Sequence, residues 1–232
     1  MTEIVCKLNK IEPLTPFVKQ IVLQPDASLD FKPGQYIRVV MADTDRRPFS
    51  IVNAPGDSQQ VELHIGASEQ NPYAWEVLQH LEQHNQCIID GPHGKAFLRD
   101  SQPKPTILLA GGTGYSYTSS ILQALLGNNG KEPIFLYWGT RTLQDMYALE
   151  ELQDLAKQHR NFAFVPVIEN PTADWQGRTG RVHEAVLADF VSLEPYQVYV
   201  AGRFEMAGVA REDFHAQGLL LENLYGDAFE FI

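Results

Sequence analysis

Directly after the apolar run Ile107 to Ala110, the segment TILLAGGTGYSYTSSILQALL (Thr106 to Leu126) places Gly111, Gly112 and Gly114 ahead of a second apolar, hydroxyl-rich run. Glycines in such a turn let the backbone bend tightly and leave room for a phosphate, which a following helix would meet with free N–H groups and its positive dipole end. Thr113 and Ser116 would stand at that end. The third glycine of a G-x-G-x-x-G pattern is missing, since Tyr117 holds its place, and no P-loop lysine is present. The residues therefore fit a dinucleotide turn or a plain strand-to-helix turn. A second place of the same kind follows the run QVYVA, where Gly202, Arg203, Phe204, Glu205 and Met206 lead from a strand into a helix.

The end of the strand after the first turn bears on which nucleotide would be taken. A site selective for NAD usually carries an acid about 20 residues on, holding the ribose 2′-hydroxyl. Here Tyr137-Trp138-Gly139-Thr140-Arg141 stands instead. No carboxylate there repels a 2′-phosphate, and Arg141 either attracts one or is a solvated surface cation.

Metal and thiol chemistry have little to work with. Two cysteines, Cys6 and Cys87, cannot supply a disulfide framework or a four-thiolate cluster. The seven histidines are scattered without an H-E-x-x-H pair. Glu150 and Glu151 read as solvated helix surface. A formal charge of −11 argues against nucleic acid as a main partner.

The elements that must position these residues fall into two sets. Residues 4 to 97 hold the short β-prone runs IVCKL, VKQIVL, YIRVV, VELHIG and CIID, separated by turn-prone groups such as QPD, KPGQ and NAPGDSQQ. They predict a small antiparallel barrel or sandwich, interrupted by one helix over Asn71 to Glu82. The proline-bearing stretch LRDSQPKP, Leu98 to Pro105, predicts an exposed connection, which divides the chain into domains at 1–98 and 99–232.

Beyond it, strands and helices alternate. ILLA, IFLYW, FAFVPVI and QVYVA read as strands, with a last one near AFEFI. Helices are expected over Ser116 to Leu126, Leu143 to His159, Arg181 to Phe190 and Phe204 to Ala216. Thr142 would cap the second of these, with Leu143, Met146, Tyr147, Leu152 and Leu155 as its core face. Alternation of this kind implies a parallel sheet covered on both faces, with ligands at the carboxyl ends of its strands. No run approaches about 18 uninterrupted apolar residues. MTEIVCKLNKIE lacks the plan of a signal peptide, so the cytoplasm is the expected compartment.

Four short motifs, taken in order, are more specific together than any one alone. Arg47-Pro48-Phe49-Ser50, Gly91-Pro92-His93-Gly94, Gly111 to Ser116 and Ala201 to Met206 resemble the ferredoxin–NADP reductase superfamily. Within it the chain is similar, over nearly its full length, to the bacterial NAD(P)H:flavin oxidoreductases, general flavin reductases and luciferase-associated relatives among them. FKPGQY, RRPFSI, ELHIGASE, GPHGKAFLRD, LLAGGTGYSY, YWG, WQGRTG, AGRFEMA and YGDAFEFI carry the likeness.

The resemblance implies a Greek-key flavin-binding β-barrel followed by a Rossmann-like NAD(P)H-binding domain, with the flavin ring in the cleft between them. It implies hydride transfer from nicotinamide C4 to flavin N5, with no metal or iron–sulfur cluster. Tyr36, Arg47, Pro48, Phe49 and Ser50 would line the isoalloxazine, the Ser50 hydroxyl lying near N5. His64, Ile65, Gly66 and Ala67 would form a second flavin-contacting segment. Gly111, Gly112, Thr113, Gly114, Ser116 and Gly202 through Met206 would receive NADH or NADPH, as would Arg141. Where the superfamily often has a cysteine near the nicotinamide, this chain has Ala201.

From Pro48 through Gly94 there is no Lys or Arg, so a flavin tail would lack charge-assisted contacts over that segment. Arg46 and Arg47 just precede it and could touch a ribityl or phosphate group. Riboflavin, FMN and FAD are therefore expected as weakly held substrates, with reduced flavin passing to ferric complexes or a flavin-dependent oxygenase such as luciferase. One rival is an FAD-containing reductase that delivers electrons to a protein partner. The other is a non-catalytic nucleotide-binding sensor on the same scaffold.

Overall fold

The computed structural model describes residues 3–56, 59–68, 72–99, 103–128 and 130–232. Asn71, where the first helix was expected to begin, lies outside the described residues. So do Asp57 and Ser58 of the turn group, Glu69 and Gln70 after HIGAS, and Asp100 to Gln102 of the expected connection. The chain forms two compact units, Met1–Leu98 with Ser119–Ala124, and Arg99–Thr118 with Leu125–Ile232.

The first unit is antiparallel. Its strands are β1 (Glu3–Thr15), β2 (Val18–Pro25), β3 (Tyr36–Ala42), β4 (Asp45–Ser50), β5 (Val61–Gly66) and β6 (Gln86–His93), with helix α1 (Pro72–His84) between the last two. The order β4-β3-β6-β1-β2-β5 makes one six-stranded, barrel-like sheet. Alternation along each strand sends one set of side chains inward. Ile4, Cys6, Ile21, Leu23, Ile37, Val39, Leu63, Ile65, Cys87 and Ile89 meet there, and α1 adds Ala74, Val77, Leu78 and Leu81. Burial raises both thiols, that of Cys87 to about 12, so they serve as apolar filling.

Strand β4 is not legible from propensity. DRRPFS has two arginines and a proline, yet it pairs along β3 from Tyr36↔Ser50 to Ala42↔Asp45. It lies at a sheet edge, the position where proline's missing N–H costs no ladder bond.

The second unit holds β7 (Thr106–Gly111), α2 (Tyr115–Gly127), β8 (Ile134–Thr140), α3 (Leu149–Gln158), β9 (Phe162–Ile168), β10 (Arg178–Thr179), α4 (Val182–Asp189), β11 (Gln197–Ala201), α5 (Phe204–Ala216) and β12 (Leu224–Tyr225). All its strand pairings are parallel, in the order β10-β9-β8-β7-β11-β12. Thr106 through Ala110 are buried without alternation, as a strand covered on both faces requires.

Two expectations here are corrected. The helix over Leu143 to His159 is broken, with a 3-10 turn at Leu143–Asp145 and α3 starting at Leu149. The Asp145 carboxylate turns back to accept the Thr142 backbone N–H at 3.0 Å and hydroxyl at 2.8 Å, closing the turn before Met146 leaves helical geometry. Leu143 is consequently exposed rather than core, whereas Met146 and Leu152 are buried. AFEFI is not a strand either. Asp227–Glu230 coil into a 3-10 turn, and the last strand is the preceding Leu224–Tyr225 beside β11. Among the described residues, no helix is long and apolar enough to cross a membrane.

Candidate active site

In the first unit, pairing aligns residues that the sequence separates. Tyr36 on β3 stands opposite Ser50 on β4 and opposite His93 on β6. His93, Tyr36 and Ser50 thus form a row across three strands, and the Tyr36 and His93 ring centroids are 5.6 Å apart. Pro48, two residues before Ser50, shares its face and is exposed. Phe49 and Arg47 point the other way: Phe49 packs on the barrel core, and Arg47 is buried.

Arg47 is heavily engaged. Its Nε donates to Asp45 Oδ1 at 2.9 Å and its Nη2 to Asp45 Oδ2 at 2.5 Å and Glu76 Oε2 at 2.7 Å. It also donates to the Tyr73 carbonyl and lies over the Tyr73 ring. This cation ties β4 to α1. Arg46 bonds Asp90 at 2.9 Å and Glu3 at 2.6 Å, so both arginines expected near a flavin tail have carboxylate partners.

Asp90 is fully buried and collects three donors: Arg38 at 2.6 Å, Arg46 at 2.9 Å and His93 Nε2 at 3.0 Å. Burial alone would raise its pKa, but the hydrogen bonds and charges of His93 and Arg38 outweigh it and hold the carboxyl below the usual range. This cluster escaped sequence reasoning because its members are spread from Glu3 to His93. The GPHG motif was the available signal.

The second flavin-contacting segment separates by side. Ile65 and Ala67 are buried in the barrel core, so their side chains are core filling and only backbone is left to face a ligand. His64 lies on the outward side, with Nε2 3.1 Å from Glu62 Oε1. Burial pushes Glu62 up, but His64 and Gln20 hydrogen bonds prevail and lower it. Gly66 is exposed.

In the second unit, the chain runs from β7 outward through β8, β9 and β10, then returns to β11 on the other side of β7. The strand order thus reverses between β7 and β11, the switch point where open α/β sheets bind ligands. Both glycine turns end there, since Ala110 pairs with Ala201. A Cβ on Gly114 would fall 2.3 Å from the Ala201 carbonyl oxygen, so only glycine allows α2 to start so close to β11. Gly112 has φ +54° with nothing within 4 Å of its Cβ position, leaving open space over the turn. Met206 lies against both other glycines, its Sδ 2.8 Å from a Cβ placed on Gly111 and 3.1 Å from one on Gly202.

Ser116 on the first turn of α2 is buried, and its hydroxyl has no hydrogen-bond partner among the described residues. A buried orphan donor at a helix N-terminus suits an anionic ligand. Thr113, Arg141, Arg203, Phe204 and Glu205 are exposed around the same strand ends. Tyr115 stacks on Trp138 at 4.3 Å, Tyr147 meets Trp138 edge-on, and Trp138 Nε1 donates to the Gly112 carbonyl at 2.9 Å. This aromatic brace of the turn was not foreseen, because its members come from three elements. Among the described residues no group of three His, Cys, Asp or Glu side chains could hold a metal ion.

A parallel sheet with its switch point at a glycine turn, and a separate antiparallel barrel, give the two-unit architecture of an α/β nucleotide-type sheet joined to a β-barrel. Residues 108–212 match the family model described as the oxidoreductase NAD-binding domain. The solved ferredoxin NADP+ reductase of Neisseria gonorrhoeae has the same fold, with a TM-score of 0.83 at 18% identity over 97% of this chain and 98% of that one. An Amycolatopsis cytochrome P450 reductase superposes at TM-score 0.89 and 22% identity, over 97% of this chain and 69% of its own.

Curated relatives narrow the class. The chain is 47% identical to the NAD(P)H-flavin reductase of Vibrio harveyi across 98% of each, and 38% identical to a probable flavin reductase of Photobacterium leiognathi across 97% and 98%. It belongs to the NAD(P)H-flavin reductase family.

Proposed function

We propose that the chain catalyses NAD(P)H-dependent reduction of riboflavin, FMN and FAD, the flavin entering and leaving as a substrate. The observation that carries the reading is the switch point, where Gly114 lets α2 start close to β11 and the open space over Gly112 and the orphan Ser116 hydroxyl leave room and a donor for a pyrophosphate. The names of the near-full-length relatives support the flavin half. Nicotinamide supplies a hydride from C4 that flavin accepts at N5, so the protein need provide neither nucleophile nor metal.

The chain's own residues bind, orient and exclude water. The first turn of α2 presents N–H groups and the Ser116 hydroxyl to the pyrophosphate, and Arg141, Gly202 through Met206 and Thr113 border the rest of the dinucleotide. Tyr36, Pro48 and Ser50 offer a face for the isoalloxazine, with Ser50 bonding N5. Gly66 and His64 adjoin it, while Arg47, Phe49, Ile65 and Ala67 shape that face from behind. Weak retention is supported by the lack of Lys and Arg from Pro48 to Gly94 and by the carboxylates on Arg46 and Arg47. Released reduced flavin is free to serve ferric complexes or a flavin-dependent oxygenase.

The test is the visible spectrum of the purified protein, followed by NADH and NADPH oxidation with and without riboflavin. A colourless protein whose activity saturates with riboflavin is expected. Bound yellow flavin with activity independent of addition would favour a prosthetic-FAD reductase, and no oxidation at all would favour a nucleotide-binding sensor.

A further inference from the structure

The GPHG motif carries a histidine, His93, to which the reaction so far gives no task. His93 completes the cross-strand row with Tyr36 and Ser50, and Asp90 fixes its ring by taking Nε2 at 3.0 Å. We propose that His93 is a flavin-contacting residue whose Nδ1 takes up a proton as the flavin is reduced, giving the site preferential affinity for reduced over oxidised flavin. The inference rests on the flavin reading of the Tyr36–Ser50 face.

The proton balance of the reaction is what such a residue would serve. A hydride brings one hydrogen and both electrons from C4 to N5, so the overall change needs one further proton from solvent. Without it, the product carries a negative charge into a segment that holds no Lys or Arg from Pro48 to Gly94. Arg38 and Arg46 stand nearest on this face, but both are bound to Asp90, and Arg46 to Glu3 as well. His93 stands beside Tyr36 with a ring that can carry a proton.

Asp90 makes that change directional. Its carboxyl is held ionised, and an ionised carboxylate only accepts, so the ring proton at Nε2 stays on the Asp90 side. Nδ1 is then the ring nitrogen left to face a ligand and to take its proton. Asp90 on its own strand and Tyr36 on β3 face the ring, Arg38, Arg46 and Glu3 reach it through Asp90, and Lys95 follows two residues on along the chain. His93 keeps 23% of its side-chain surface exposed, enough to exchange the proton with solvent.

The test compares binding of oxidised and anaerobically reduced riboflavin to wild type and His93→Gln, an amide that can still donate to Asp90. His93→Gln should weaken reduced riboflavin by about tenfold, roughly 1.4 kcal/mol, and oxidised riboflavin by under about threefold. At alkaline pH, where free reduced riboflavin is already anionic, wild-type affinity for it should fall as pH rises, and that of His93→Gln should not. Equal loss for both flavin states, or a pH response shared by both proteins, would overturn the proposal. The wild-type pH series tests it even if the variant fails to fold. Wild type that binds neither state of riboflavin would instead sink the underlying flavin reading.

Discussion

Ser50 and Arg47 sit three residues apart in one motif, yet strand alternation gives them opposite tasks. Ser50 shares its face with Tyr36, and on the proposed reading Ser50→Ala removes the hydrogen bond to flavin N5. Its turnover should fall by about tenfold, the rate equivalent of ~1.4 kcal/mol, with riboflavin affinity changed less. Steady-state kinetics with a binding titration would show this, and equal loss in both quantities would refute it. Arg47 faces inward, and Arg47→Met should act on stability. Asp45 and Glu76 are 36% and 50% exposed at the side chain, so water takes over their charges when the guanidinium goes. The loss should be about 1–2 kcal/mol rather than the 3–5 of a sealed pair, read from denaturant unfolding. Asp90 carries the pH dependence. Its folded pKa lies below the unfolded value near 3.9. Its stabilisation is therefore complete above that value and lost as pH falls through the lowered one. Asp90→Asn should be destabilised at neutral pH, and its deficit from wild type should shrink in acid.

Helix α2 shows how an element does more than its pattern tells. Its first turn belongs with the parallel-sheet unit, whereas Ser119–Ala124 cluster with the barrel unit. There Ser120 Oγ donates to the Asn53 carbonyl at 2.8 Å and accepts the Gly34 N–H at 3.3 Å, and Gln123 bonds both Val52 and Ala54. These bonds hold the chain just before Tyr36 and just after Ser50. Ser120→Ala should raise the riboflavin KM severalfold and leave the NADH KM unchanged. A matched change in both would mean general loosening. The glycine turn divides in the same way. Gly114→Ala has a carbonyl oxygen in the way and should impair folding, seen as a lowered Tm. Gly112→Ala has open space and only a left-handed backbone to accommodate, a cost of about 1 kcal/mol. Most elements were legible because periodicity survives in a single sequence. Strand β4 was not, since an edge strand needs little β propensity. The break at Met146 was not, since it depends on where one carboxylate turns. The motif positions were readable as residues, but the row of His93, Tyr36 and Ser50 is a product of register, which no local pattern encodes.

At the scale of the whole molecule, a charge of −11 sets how differently charged flavins approach. Riboflavin is neutral, whereas the terminal phosphate of FMN carries about −1.5 to −2 at pH 7. A field of like sign slows the second and leaves the first unaffected. In the barrel unit Arg38, Arg46 and Arg47 are paired with acids, as are Lys10 with Glu12 and Lys19 with Glu82, which lowers the local positive charge open to a phosphate. Long-range repulsion is screened as the Debye length shrinks from about 30 Å at 0.01 M salt to about 8 Å at 0.15 M. With NADH saturating, kcat/KM for riboflavin should exceed that for FMN at low salt, and the ratio should fall by roughly threefold or more between those ionic strengths. The change should lie in the FMN value alone, because an uncharged substrate feels no field to screen. A ratio indifferent to salt would mean that a local cation of the flavin site offsets the protein's field.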